Sequence, residues 1–495
     1  MRLPTRPVVP GTHPDPSVCR ADGSYWLACS SFGYAPGVPL FRSDDLVAWE
    51  QVGHVLDRPS QLRLDGAGTS GGVYAPTLRH HAGRCWLVTT DVSGGPGQLL
   101  VTAGHPAGPW SDPVTIPDAP GIDPDLAWDD DGTCYLTWCA YGPGGHEGIV
   151  QAVLDPATGR LLTPPARLWQ GTGGQVPEAP HLYRVGAWWY LLLAEGGTER
   201  GHAAVVARSA SPSGPFEADP GNPFLTARGT GSPVQSTGHA DLVARPDASW
   251  AVLWLGTRPR GSTPGWHVLG RETFASEVVW EDGWPRLGAP LEPAAVPAVT
   301  EDLAGPVLPP SWVALGRHPA EVLHHDGGAW VLRGPARDDP GAGPVFAGRR
   351  QDRTTVRARA VLDAGDGAGG LELRVDPAHA VRLEVDGGLV RAVALVGTLR
   401  AVLGEATAVP GTVLELRTAP ARHDQSAGPR GGPDEVVASV LGPDGPGSPV
   451  ELGRLDGRYL STEVAGGFTG RMVGVVALRG DVVVRAFSYS GDAET

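Results

Sequence analysis

Along the first 290 residues, short apolar runs alternate with small polar turns. A turn and then an aromatic strand recur five times: DGSYWLACS from Asp22, AGRCWLVTT from Ala82, DGTCYLTWC from Asp131, GAWWYLLLA from Gly186 and DASWAVLWL from Asp247. Each is followed by a further strand and a closing aromatic, as at Trp49, Trp110 and Phe216. Aromatic and β-branched runs suit pleated, half-buried strands, and the Gly- and Asp-containing turns suit hairpins. Such a unit, about 50 residues long, buries its faces only against its neighbours. Five of them in a row predict a five-bladed β-propeller over residues 1–290.

Residues 311–495 follow a different rhythm. LELRVD, AVRLEVDG, VRAVALVG, TVLELRT and VVVRAFSYS alternate apolar and polar positions with a period of two. That pattern predicts half-buried antiparallel strands and a β-sandwich. The Pro- and Ala-rich stretch 291–310 reads as a linker packed along the surface. The polar, Gly-rich stretch 421–435 reads as a loop. The fold class is all-β.

Composition sharpens this picture. At 495 residues, with 41% hydrophobic and 19% charged residues, the chain can build two or three cores. Fourteen of the 16 Trp lie between Trp26 and Trp284, which sets the first part apart from the second. All 39 basic residues are Arg, so Schiff-base, pyridoxal-phosphate and P-loop lysine chemistry is excluded. The net charge of −15 argues against nucleic acid or an anionic membrane as partner, and favours a neutral or cationic ligand. No apolar run reaches 18 residues, and the chain reads as cytoplasmic. The five cysteines (Cys19, Cys29, Cys85, Cys134 and Cys139) form no CxxC, so neither a zinc site nor a disulfide framework is expected.

The chemistry gathers just before each aromatic strand. HPDPSV (13–18), YAPTL (74–78), IDPDLAW (122–128), PEAPHLY (177–183) and GHADLV (238–243) occupy equivalent places in the five units. The first strand of a propeller blade lines the central channel. Asp15, Tyr74, Asp123, Glu178 and His239 are therefore expected to meet at the axis. An Asp before Pro is also common at turns and strand starts. Three carboxylates at matched positions, however, repel one another, and such clusters concentrate at functional sites. With no Cys or Lys nucleophile and no metal motif, they point to general acid–base hydrolysis, above all of glycosidic bonds.

These segments, with SSFGYAP, DRPSQL, AEGGTERGH, STGHADLV, LGRETF and YLSTEVAGGFTG (459–470), resemble glycoside hydrolase family 43. The resemblance is closest to the β-xylosidases that carry a C-terminal β-sandwich, and it covers residues 8–285 and 459–470. It implies an inverting, exo-acting enzyme that releases xylose from the non-reducing ends of β-1,4-xylo-oligosaccharides. In that family's terms Asp15 would be the general base, Glu178 the general acid, and Asp123 the residue that tunes and positions the acid. Arg271 of GRETF would hydrogen-bond sugar hydroxyls, with an ordinary salt bridge as the competing role. His239 would orient water or a cation, Phe32 would wall the sugar and Phe468 would cap the pocket. The plain alternatives are a satisfied channel histidine for His239, core packing for Phe32 and an ordinary sandwich turn with a buried Phe for Phe468. His13, before the base, fits turn structure more simply than catalysis.

Two departures from the family pattern bear on specificity: Tyr74 where Trp is usual, and Ala179 where Gly is usual after the acid. The other readings are an α-L-arabinofuranosidase, alone or bifunctional, a non-catalytic carbohydrate-binding propeller, a WD-type interaction propeller and a fructan-active hydrolase. No cofactor is required. A Ca²⁺ or Na⁺ near His239 stays open, because oxygen-rich channels attract hard cations. The expected partner is a small oligosaccharide or pentoside, with a homo-oligomer left open.

Overall fold

Each aromatic repeat forms the second strand of a four- or five-stranded antiparallel sheet, paired on one side with the segment that precedes it. The computed structural model describes residues 2–142, 145–336, 343–421, 431–442 and 448–494. Most of the 421–435 stretch therefore lies outside the described residues. Two units are present. The first comprises Met1–Val9, His13–Arg258 and Glu272–Ala294; the second comprises Pro10–Thr12, Pro259–Arg271 and Ala295–Thr495.

The first unit is the five-bladed propeller. Its innermost strands are Ser17–Ala21, Thr77–His81, Gly121–Trp128, Glu178–Val185 and Gln235–Ala244, and each begins one sheet. The second strands, Ser24–Ala28, Arg84–Thr89, Cys134–Gly142, Trp188–Glu195 and Trp250–Thr257, carry the aromatic repeats. Neighbouring blades bury apolar faces between them. Trp26 and Trp110 lie in one such cluster, Leu136 and Trp138 in another, and Trp254 and Phe274 in a third. The ring closes where the N-terminal segment meets blade five. Val8 N donates to Thr273 O at 2.9 Å, and Glu292 accepts from Thr5 N at 2.7 Å.

One polar cluster joins all five inner strands. Arg79 of blade two donates to Asp125 of blade three at 2.7 Å and to Asp241 of blade five at 2.9 Å. Its second amine also lies 3.0 Å from His181 Nδ1 of blade four. Ser17 Oγ of blade one donates to Asp241 at 2.6 Å, and the Tyr183 hydroxyl of blade four also bonds Asp241. Both carboxylates are fully buried, whereas the Arg79 side chain is 14% exposed. Burial alone would push the Asp241 carboxyl up. The Arg79 and His181 charges and the bonds from Ser17 and Tyr183 outweigh it and hold the group at about 2.

The second unit is the β-sandwich. One sheet runs in the order Leu323–Asp326, Ala329–Leu332, Val482–Gly491, Val356–Asp363, Val413–Ala419, Glu435–Leu441 and Val450–Asp456, with Val299–Asp302 also pairing Val482–Gly491. The facing sheet runs from Val313–Leu315 through Val345–Arg350, Met472–Arg479, Ala368–Asp376, His379–Asp386 and Leu389–Val396 to Leu399–Thr407. Alternation puts Leu371, Leu373, Leu414, Leu416 and Val475 into the shared core.

Arg79→Met keeps the aliphatic stem and leaves two buried carboxylates without their counter-charge. It is expected to cost about 3–5 kcal/mol, read as a lower urea midpoint of propeller unfolding. Acid acts on the same cluster. The Asp241 carboxyl is depressed in the fold, so its stabilisation is complete above the ordinary value of 3.8 and is lost as pH falls towards 2. Each pH unit in that window should remove about 1.4 kcal/mol through this group. Urea titrations at pH 4 and pH 2.5, repeated on Asp241→Asn, measure that component.

Candidate active site

The backbone departs from regular strand geometry at the predicted side chains. Asp15, Asp123 and His239 sit in left-handed conformation with φ of 57°, 55° and 47°, and Ala179, which follows Glu178, has φ of 50°. Pairing with the second strand slips at the same places: between Ile122 and Asp125, between Glu178 and His181, and between Gly238 and Asp241. A bulge of this kind re-aims a side chain at the end of a strand. Left-handed backbone costs a non-glycine residue roughly 1–2 kcal/mol. Its recurrence on four blades marks the rim of this channel as strained, as functional sites often are.

The carboxylates are braced from several blades. Asp15 is buried; its Oδ2 accepts from Ser30 Oγ at 2.5 Å, and its Oδ1 lies 3.4 Å from His239 Nδ1. Asp123 is buried, and its Oδ2 accepts from the backbone N–H of Ala179 at 3.1 Å. That bond ties the carboxylate of blade three to the residue directly after Glu178 of blade four. Glu178 itself is half-buried at the start of its strand. Cys139 lies behind it, with Sγ 3.5 Å from Pro177 O. Burial raises the Cys139 thiol, and the Asp123 and Glu178 charges raise it further.

Aromatic rings gather near these carboxylates. The Phe32 and Tyr74 rings meet edge to face at 5.6 Å. Tyr74 is anchored through its hydroxyl to Ser70 O at 3.1 Å. Tyr141 joins this group. Burial pushes its phenol up to about 12, with Cys139, Glu178, Asp123 and Tyr74 adding to the shift. His146 packs edge-on against Tyr141 at 5.6 Å, and its Nε2 donates to Pro177 O at 2.9 Å.

The structure thus joins Asp15 with His239, Asp123 with the residue beside Glu178, and Phe32 with Tyr74. Arg271 and Phe468 belong to the second unit and meet there, the Arg271 Cζ lying 5.4 Å from the ring centroid. Their segments are stitched together by Thr462 N to His267 O (3.3 Å), by Arg471 N to Val268 O (2.9 Å) and by the His267–Glu463 pair at 2.6 Å. His13 stacks edge-on to Phe41 at 5.0 Å, and its carbonyl accepts from Thr273 Oγ1. Among the described residues no group of three or more His, Cys, Asp or Glu could hold a metal ion.

Sequence reading missed Ser30, Tyr141 and the Ala179 amide. Ser30 and Tyr141 stand on or beside second strands, where a polar residue signals nothing by itself. The Asp125, His181 and Asp241 cluster did leave a signal, since DPD, EAPH and HAD repeat a polar residue two or three places after the first.

The profile described as Glycosyl hydrolases family 43 matches residues 4–285. A "Xylosidase/arabinosidase" of Butyrivibrio fibrisolvens is 46% identical over 58% of this chain and 56% of its own length. A "Non-reducing end alpha-L-arabinofuranosidase" of Bacteroides ovatus is 34% identical over 95% of this chain and 90% of its own. Among solved structures, a xylan beta-1,4-xylosidase from Bacillus halodurans superposes with a TM-score of 0.85 at 29% identity, covering 99% of this chain and 100% of the other.

Ala179→Gly relieves the Cβ clash and keeps the N–H that Asp123 accepts. It should stabilise the propeller by about 0.5–1 kcal/mol after the glycine's entropy loss. Thermal or urea unfolding of the variant measures this directly.

Proposed function

This chain belongs to glycosyl hydrolase family 43, and from that premise we propose that it is an inverting, exo-acting β-xylosidase working by general acid–base catalysis. The observation that carries the reading is the trio of Asp15, Asp123 and Glu178, held on three blades by strained backbone and braced by Ser30, His239 and the Ala179 amide.

Asp15 is the general base. Its Ser30 bond fixes one oxygen, and the carboxylate takes a proton from the attacking water. Glu178 is the general acid and protonates the departing glycosidic oxygen. Asp123 positions the acid's strand through the Ala179 amide, and its negative charge favours the protonated form of the neighbouring acid. An inverting reaction needs the base and the acid on opposite sides of the scissile bond with a water between base and sugar. Phe32, Tyr74 and Tyr141 offer apolar faces to a pentose ring. Arg271, a charged donor stacked on Phe468, is assigned to sugar hydroxyls.

The substrate assignment rests on the xylosidase names among the relatives and on the match to the xylan beta-1,4-xylosidase structure. An α-L-arabinofuranosidase is the second reading, favoured by the Bacteroides ovatus relative, whose match runs over nearly the whole chain. Parallel assays on nitrophenyl β-xyloside and nitrophenyl α-L-arabinofuranoside separate the two.

Asp15→Ala should lower kcat at least about 10³-fold on every substrate. Glu178→Gln should cost less on nitrophenyl glycosides, whose leaving group needs no proton, than on xylobiose. Equal losses on both would remove Glu178 from the acid's role. Proton NMR of the first product formed should show the anomer opposite to the substrate's, and retention would overturn the mechanism.

A further inference from the structure

The ladder of blade four is interrupted around Glu178. Pairing with the second strand holds at Glu178–Ala194 and resumes only at His181–Leu192. Pro177 and Pro180 carry no N–H to donate to a ladder. Val176 and Ala179 are both left-handed, with φ of 47° and 50°. For a β-branched residue such as Val176 that is a true outlier. Strain of this kind persists only where the surroundings over-determine it.

The neighbouring blade supplies that constraint. Three successive strands of blade three, Gly121–Trp128, Cys134–Gly142 and Gly145–Asp155, each contribute one partner. Asp123 accepts from Ala179 N at 3.1 Å. Cys139 Sγ and His146 Nε2 both donate to Pro177 O, at 3.5 Å and 2.9 Å. A thiol is the weaker donor of the two. A carbonyl oxygen only accepts, so His146 carries a proton on Nε2, and the neutral and the charged ring make the bond alike. Each peptide is planar. Holding Pro177 O therefore fixes the plane before Glu178, and holding Ala179 N fixes the plane after it. His146 is itself seated by its hairpin, as the register partner of Tyr141 and edge-on to that ring at 5.6 Å.

We propose that His146 is a positioning residue for the general acid: its Nε2–H holds the Pro177–Glu178 peptide so that the Glu178 carboxyl meets the departing oxygen. The inference rests on the assignment of Glu178 as the acid. Misplacing an acid costs most where the leaving group most needs its proton. A smaller folded fraction instead lowers the rate on every substrate alike, so it cancels in a ratio between substrates read within one variant.

The test is kcat/KM of the full chain on phenyl, nitrophenyl and dinitrophenyl β-xylosides, or on the matching α-L-arabinofuranosides where those are turned over faster. The leaving groups share one ring and need progressively less protonation. His146→Phe keeps a flat ring beside Tyr141 and removes the donor. It should lower kcat/KM about tenfold or more on the phenyl glycoside and less than about twofold on the dinitrophenyl glycoside. His146→Gln offers an amide N–H in place of Nε2–H and should bring the phenyl glycoside back to within about threefold of the unaltered chain. Equal loss on all three substrates in His146→Phe, no loss on any of them, or no rescue by His146→Gln each overturns the proposal. Glu178→Gln on the same series keeps the two assignments apart. If it too loses equally on all three, the acid itself is misassigned; if it shows the dependence and His146→Phe does not, only the role of His146 falls.

Discussion

The propeller depends on one buried charge cluster at its axis. Arg79 reaches Asp125 and Asp241, and through them and His181, Tyr183 and Ser17 it touches every blade. Apolar burial between blades is non-directional and would tolerate small rotations of one sheet against the next. Hydrogen-bonded charges in a low-dielectric interior do not tolerate such rotations, because each lost contact strands a buried carboxylate. The cluster therefore sets the angular position of five otherwise similar sheets. Its members Ser17, Asp125, His181 and Asp241 lie two or three residues after Asp15, Asp123, Glu178 and His239. Fixing one row of side chains fixes the other.

Between those two rows the backbone leaves regular β geometry. The slips in pairing and the left-handed residues occur where the strands emerge beside the reactive side chains. In a regular strand residues two apart share a face and residues three apart do not, so Glu178 and His181 share one face only through the slip between them. The strain is sustained because the rows on either side are firmly held. The departure at Ala179 fits this account. The position is left-handed, where glycine is free of strain, and alanine keeps the amide that bonds Asp123.

The second unit contributes more than bulk. Pro259–Arg271 leaves the propeller's chain order to pack with the sandwich, where backbone bonds tie it to the segment from Thr462 to Arg471. Arg271 and Phe468 are thereby held as a stacked pair, although about 200 residues of sequence separate them.

Much of this was legible in the residue pattern alone. Five aromatic repeats define five sheets, because local alternation and turn chemistry decide strands and hairpins. The inner-strand motifs mark Asp15, Tyr74, Asp123, Glu178 and His239 as equivalent, because a repeat places like positions alike. The period-two runs after residue 311 define the sandwich for the same reason. Tertiary structure alone decided the rest: that Arg79 binds the five blades, that Ser30 and the Ala179 amide brace the carboxylates, and that Tyr141 joins the aromatic group. The bond from His146 to Pro177 O belongs with these. Each of these contacts joins different strands or blades through a bulge, a left-handed residue or a register. Those features arise when sheets pack, and no local run of residues encodes them.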